Sequence, residues 1–128
     1  MEVLKIAPTE HTPGVEFNPL SGQLKLTGRS LPENAIEFYD PVFEWLDDYI
    51  EVAPAETELH VDLDYLNSIS QKMVVEILKN TKKVQNKGKK VMVSWYYDED
   101  DEKMMEEGKA IAMEFELPLV LKPKTNPL

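Results

Sequence analysis

The segment Tyr65-Leu66-Asn67-Ser68-Ile69-Ser70 brings two hydroxyl groups and one side-chain amide close together. It lies between a predicted strand and a predicted helix, and ligands usually bind at such junctions in open α/β sheets. Ser and Asn are also preferred N-cap residues, so helix capping accounts for the same side chains without any ligand. Capping is the simpler interpretation of these residue types, which do not by themselves identify a modified hydroxyl.

Asp62 and Asp64, just before this segment, are a candidate pair of catalytic carboxylates. They lie two residues apart on a predicted strand and therefore point to the same face. A small hydrolase could use them as general acid and general base, but no nucleophile or oxyanion-binding group accompanies them. We therefore expect that the protein is not an enzyme.

Histidines and acidic residues are the candidate metal ligands of a chain that contains no cysteine. His11 lies in a proline-flanked loop and His60 in a predicted strand, and no further ligand has a suitable spacing. The acidic run at 98–102 is not an EF-hand loop, because Lys103 occupies the position that requires glycine. We expect neither a metal nor another cofactor.

The hydrophobic pattern around these residues predicts strands and helices in alternation. Apolar residues at every second position indicate strands, and apolar residues at helical spacing indicate helices. The predicted strands cover residues 3–6, 15–18, 23–27, about 59–64, 91–97 and 119–121. The predicted helices run from about 33 to 50, from about 68 to 86 and from about 98 to 117.

This order predicts a single α/β domain with a mixed, mostly parallel sheet, a leading antiparallel hairpin and about three helices. The domain spans residues 1–128, with a core from about 3 to 122 and a loose tail over 123–128. Ser30 is the predicted N-cap of the first helix, and Pro41 predicts a kink or two abutting helices. The predicted core contains Ile36, Phe43, Leu46, Val61, Leu63, Val74, Ile77, Val93 and Ile111.

The charge of the chain limits the classes of partner. It has 24 acidic and 14 basic residues and a formal net charge of −10, so it repels phosphate backbones and we expect no nucleic acid partner. The basic residues are concentrated between Lys72 and Lys90. Lysines suit the C-terminal end of a helix, which is the simpler interpretation, and they would also suit an acidic partner.

Hydropathy gives no sign of a membrane protein. No stretch reaches the ~20 apolar residues that a membrane helix needs, and the N-terminus does not resemble a signal peptide. We therefore expect a soluble, cytoplasmic protein that does not associate with a membrane.

Three segments resemble the SiaC family of bacterial regulatory phosphoproteins. They are Ser30-Leu31-Pro32-Glu33-Asn34, Val61-Asp62-Leu63-Asp64-Tyr65-Leu66-Asn67-Ser68 and Val93-Ser94-Trp95-Tyr96-Tyr97-Asp98. The resemblance extends from about Pro8 to Leu121. The layout is more distantly similar to the STAS domains of anti-sigma-factor antagonists, although Gln71 follows Ser70 where those domains carry glycine. The resemblance thus implies a STAS-like fold by analogy only.

The resemblance to the SiaC family implies a phosphorylation switch. A serine/threonine protein kinase of the anti-sigma-factor kinase type would modify one hydroxyl, and a PP2C-type phosphatase would remove the phosphate. The unmodified protein would bind and activate a diguanylate cyclase and so raise cyclic di-GMP. A constitutive binding module, which needs no kinase, is the alternative.

The resemblance also implies which residues take part. Ser68 occupies the position of the family's modified residue, typically threonine, and Ser70 is the second candidate. The segment that includes this site would form the surface for the partner. Its expected contact residues are Tyr65, Leu66, Asn67, Ser68, Ile69, Ser70 and Lys72.

Overall fold

The computed structural model of the chain describes residues 1–125. Strands and helices alternate as predicted from the hydrophobic pattern. The strands are β1 (Leu4–Ile6), β2 (Gly14–Phe17), β3 (Gln23–Ser30), β4 (Glu56–Leu66), β5 (Lys90–Asp98) and β6 (Leu119–Lys124). The helices are α1 (Ala35–Val52), α2 (Ser68–Asn86) and α3 (Glu102–Phe115).

All strands belong to one sheet and follow one another in chain order, β1-β2-β3-β4-β5-β6. The first three pair antiparallel, and the pairs from β3 to β6 are parallel. The predicted fold class, with its antiparallel hairpin followed by parallel strands, is therefore confirmed. Each helix leads to the next strand in the same direction, and right-handed crossovers of this kind place all the helices on one face.

Burial along β4 distinguishes the two faces of the sheet. Leu59, Val61 and Leu63 are buried beneath the helices, whereas His60 and Asp62 between them are partly exposed on the opposite face. The helix-covered face thus contains the hydrophobic core, and the other face carries polar side chains. Within residues 1–125, no helix combines the length and the apolar character needed to cross a membrane.

The start of α1 differs from the sequence prediction. Ser30 is the last residue of β3, and Asn34 is the N-cap, because its Oδ1 accepts a hydrogen bond from the Glu37 N–H at 3.1 Å. The prediction of Ser30 as the cap is therefore wrong. The prediction that two helices abut at Pro41 is also wrong, since α1 is one continuous helix that contains Pro41.

The buried face of α1 is also rotated relative to the prediction. Ala35 and Tyr39, one turn apart, are both buried. Ile36 follows Ala35 by one residue and therefore points away, with 66% of its surface exposed. Its assignment to the core is wrong, and Phe43 and Ile111 are only partly buried. The predicted core residues that are buried are Leu46, Val61, Leu63, Val74, Ile77 and Val93.

The C-terminal strand β6 continues to Lys124, beyond the predicted end of the core. Pro123 and Lys124 pair with the last residues of β5, and the Lys124 ammonium donates hydrogen bonds to Asp62 and, at 3.0 Å, to Asp64. The prediction of a loose tail is therefore wrong at 123 and 124. Residues 126–128 of that tail lie outside the described residues.

Candidate functional site

A single residue, Asn67, separates β4 from α2. Its side-chain oxygen accepts a hydrogen bond from the Ser70 N–H at 2.9 Å and so caps the helix. Its own N–H donates to the carbonyl oxygen of Ser30, at the end of β3, at 3.1 Å. The first turn of α2 is therefore fastened to the neighbouring strand, and Asn67 rather than Ser70 is the N-cap.

The Ser70 hydroxyl belongs to a buried chain of hydroxyl groups. The Ser30 Oγ donates to the Ser70 Oγ at 2.8 Å, and it also bonds the Tyr39 hydroxyl at 2.6 Å. All three side chains are fully buried, and burial raises the pKa of the Tyr39 phenol. The chain connects β3, α1 and the first turn of α2. Because Ser70 is internal, a kinase could reach it only after local opening of the fold.

Ser68 has the opposite environment. It is the first residue of α2, and it is exposed. The side-chain hydrogen bonds of this segment belong to Asn67 and Ser70, and none within residues 1–125 involves the Ser68 hydroxyl. A free hydroxyl at the positive end of a helix dipole suits the attachment of an anionic group, because backbone N–H groups at a helix N-terminus can donate hydrogen bonds to the anion.

The predicted partner-binding residues differ in exposure. Leu66 and Ser70 are buried, and Asn67 is partly buried. Those that face solvent are Tyr65, Ser68, Ile69 and Lys72. Tyr65 and Ile69 are large apolar side chains with 48% and 53% of their surfaces exposed. These two residues give the surface around Ser68 an apolar character suited to protein contact.

Arg29 also belongs to this edge, although the sequence analysis did not single it out. It pairs with Tyr65 in the parallel register of β3 and β4, and its guanidinium carbon lies 5.7 Å from the centre of the Tyr65 ring. Arg29 is the only arginine in the chain. The signal that could have found it is positional, since the ends of adjacent parallel strands meet at the same edge of a sheet.

A groove of about 740 Å³ runs between α2 and α3 next to Ser68. Met73 of α2 and Ala110 and Ile111 of α3 give it apolar walls, and Trp95 of β5 also lines it. Ser68 is one of its lining residues. Ser68 and this groove are therefore parts of one surface.

Trp95 and Gly108 determine how α3 lies on the sheet. The Trp95 Nε1–H donates to the carbonyl oxygen of Met104 at 2.9 Å. A Cβ atom at Gly108 would lie 2.6 Å from the indole ring, so only glycine lets the helix approach this closely. The groove thus depends on a tertiary contact between β5 and α3.

The opposite face of the sheet carries His60, the candidate metal ligand, and Asp62 and Asp64, the candidate catalytic carboxylates. His60 bonds the Tyr96 hydroxyl at 3.0 Å and the Gln23 side-chain oxygen at 2.7 Å, and burial lowers its pKa. Asp62 and Asp64 both bind the Lys124 ammonium. Across residues 1–125, no three potential ligands converge to hold a metal ion.

Comparison with known proteins identifies the family. The family model described as "SiaC family regulatory phosphoprotein" matches residues 6–124. The chain belongs to the SiaC family. It is also 31% identical to a protein of Pseudomonas aeruginosa strain UCBPP-PA14 over 106 residues, which cover 83% of this chain and 84% of that protein.

Solved structures of SiaC share the fold. The crystal structure of apo-SiaC from Pseudomonas aeruginosa superposes with a TM-score of 0.86 at 27% identity, covering 95% of this chain and 99% of that one. A second structure holds SiaC as activator in complex with the diguanylate cyclase SiaD of that organism. Its match has a TM-score of 0.87 at 27% identity, covering 94% of this chain and 99% of that one.

Proposed function

We propose that this protein binds and activates a diguanylate cyclase, and that phosphorylation of Ser68 prevents the binding. Membership of a family of regulatory phosphoproteins and the similarity to SiaC, the activator in the SiaD complex, support this proposal. The observation that carries it is the contrast between the two serines. Ser68 is exposed and free of side-chain hydrogen bonds within residues 1–125, whereas Ser70 is buried and bonded.

The modification itself is a phosphoryl transfer to the Ser68 oxygen. A kinase of the anti-sigma-factor kinase type would transfer the γ-phosphoryl group of ATP, so that an Oγ–P bond forms, the bond to the ADP oxygen breaks and the hydroxyl proton is released. A PP2C-type phosphatase would reverse the change by hydrolysis, releasing inorganic phosphate. Because these steps need ATP, and the cyclase needs GTP, the switch belongs in the cytoplasm.

The phosphate acts on the surface and not on the fold. It adds about −1.5 to −2 charges and three acceptor oxygens at the start of α2, where the helix dipole favours negative charge. A partner packed on Tyr65 and Ile69 would have to bury that charge, and the desolvation cost opposes binding. Phosphorylation of Ser68 thus releases the cyclase while this domain stays folded.

A non-enzymatic role also agrees with the state of Asp62 and Asp64. Their shared ion pair with Lys124 occupies the carboxylates that a hydrolase would need for acid and base catalysis. The sequence offered these residues as a catalytic alternative, and their geometry favours a structural role.

The test incubates wild type, Ser68→Ala and Ser70→Ala with the cognate kinase and ATP, followed by intact-mass measurement. We expect one phosphate on wild type and none on Ser68→Ala. Ser70→Ala should be phosphorylated if it remains folded, which circular dichroism checks. Full incorporation into Ser68→Ala would overturn the assignment of the site.

A binding assay with the cognate cyclase completes the test. We expect the unmodified protein and Ser68→Ala to bind and the phosphorylated protein to be released. Equal binding of the phosphorylated and unmodified forms would indicate a constitutive binding module instead.

A further inference from the structure

The groove between α2 and α3 contains one cation that the fold does not use. Lys79 pairs with Glu76 at 3.0 Å, and Glu107 accepts a hydrogen bond from Gln71 at 2.8 Å. Lys72 is exposed and has no ion pair within residues 1–125. Among the described residues, Lys72 is thus an unpaired cation beside apolar walls, in a chain of net charge −10. A binding partner that complements this surface would carry apolar side chains and a carboxylate.

Lys72 also lies four residues after Ser68 on the same helix. Residues at this spacing are neighbours on a helix surface, and an anion that precedes a cation by four residues is the favourable orientation. Both side chains line the groove. A phosphate on Ser68 would therefore lie within reach of the Lys72 ammonium.

We propose that the groove receives a partner segment with an apolar ridge and one carboxylate beside it, that this carboxylate pairs with Lys72, and that a phosphate on Ser68 competes with it for Lys72. The proposal rests on the switch at Ser68 described above, and it names the chemistry of the partner's contact. The apolar ridge lies against Met73, Ala110 and Ile111. Phosphorylation then has two effects, since it adds negative charge to the groove lining at Ser68 and neutralises the Lys72 cation that attracts the partner.

The internal pair, formed by a phosphate on Ser68 and the Lys72 ammonium, can be detected through the phosphate pKa without any partner or kinase. Phosphoserine has a second pKa near 6, and an adjacent ammonium lowers it by stabilising the dianion. Phosphoserine can be introduced at position 68 during translation, and the phosphorus NMR shift can be followed against pH. We expect Lys72→Gln to raise the phosphate pKa by a few tenths of a unit. Lys83→Gln, on the same helix, should leave the pKa unchanged, and equal values in both variants would overturn the internal pair.

The contact with the partner is tested with unmodified protein and the cognate diguanylate cyclase. We expect Lys72→Gln to weaken binding by roughly two- to fivefold, as for an exposed ion pair, and Lys83→Gln to bind like wild type. Ala110→Glu places a charge on the groove wall at an exposed position and should weaken binding at least tenfold. Met113→Glu is the matched control, because Met113 lies on α3 with 79% exposure and does not line the groove.

The outcomes separate this proposal from the proposed function. If the cyclase binds wild type and releases the phosphoprotein, but Ala110→Glu and Lys72→Gln bind like wild type, the groove is not the contact and the switch stands. If wild type does not bind the cyclase at all, the proposed function fails, whereas the phosphate titration still decides whether Lys72 is the internal counter-ion.

Discussion

Tyr39 and Tyr49 offer a matched pair of substitutions that tests the buried hydroxyl chain. Both lie on α1, both are fully buried, and each forms a side-chain hydrogen bond of 2.6 Å, Tyr39 with Ser30 and Tyr49 with Thr57. Replacement of either tyrosine by phenylalanine removes one hydroxyl and leaves the ring in place. The two variants therefore lose the same chemical group at opposite ends of one helix.

The magnitude follows from the energetics of a buried hydrogen bond. Loss of the bond costs about 1 kcal/mol, and up to ~3 kcal/mol where the remaining partner stays unsatisfied. The Ser30 hydroxyl still has Ser70 as a partner after Tyr39→Phe, so we expect about 1 kcal/mol. In a domain of this size that corresponds to a fall of about 4 °C in the melting temperature. Thr57 loses its side-chain partner in Tyr49→Phe, so we expect a cost at least as large.

Amide hydrogen exchange distinguishes the two variants where overall stability does not. The chain through Ser30 reaches Ser70, so Tyr39→Phe should lower the protection of the α2 first-turn amides at Ser70 and Gln71 beyond the change in global stability. Tyr49→Phe should lower protection there only by its global effect. If both variants change these amides by the same amount after correction for stability, the chain does not hold the start of α2.

Three further predictions concern stability. Ile77→Ala should cost ~2–5 kcal/mol in a urea titration, because Ile77 is fully buried, and a value near zero would contradict its place in the core. Gly88→Ala should cost ~1–2 kcal/mol through backbone strain, because Gly88 has a φ of +87°. No atom of residues 1–125 lies within 4 Å of an added Cβ, so a steric clash would not contribute. An unchanged midpoint of urea unfolding would contradict this. Burial lowers the pKa of His60 in the folded protein below the ordinary value of 6.5. As pH falls below 6.5, the unfolded state therefore binds more protons than the folded state, and the free energy of unfolding decreases. His60→Gln should flatten the dependence of the unfolding free energy on pH between 7 and about 5. A slope equal to that of wild type would refute this cause.

Local sequence patterns predicted most of the fold because each strand and helix shows its own periodicity. The alternation of Leu59, Val61 and Leu63 with polar residues predicted β4, and the Asn67 to Ser70 segment predicted the start of α2. Errors arose where tertiary pairing extended an element. β3 continues to Ser30 through its register shift with β4, and β6 continues to Lys124 beside β5, and neither extension has a local hydrophobic signal.

Only part of the candidate site could be predicted from the sequence. The hydroxyl segment could be found from its place between a strand and a helix, but the contrast between Ser68 and Ser70 required the hydroxyls of Ser30 and Tyr39. Those residues lie 40 and 31 positions before Ser70 in the sequence. The groove could not be predicted either, because its width depends on how closely Gly108 approaches Trp95.

The hydroxyl chain has a consequence for the speed of signalling. Asn67 and Ser70 hold the helix start to β3 and α1 independently of the Ser68 side chain, so a phosphate at Ser68 breaks none of these bonds. If Ser68 is phosphorylated as proposed, the backbone has no slow rearrangement to complete between the unmodified and the phosphorylated protein. In the proposed switch, the time needed to change state would be set by the kinase, the phosphatase and the dissociation of the partner, and phosphorylation would change one exposed oxygen atom of a domain that otherwise keeps its structure.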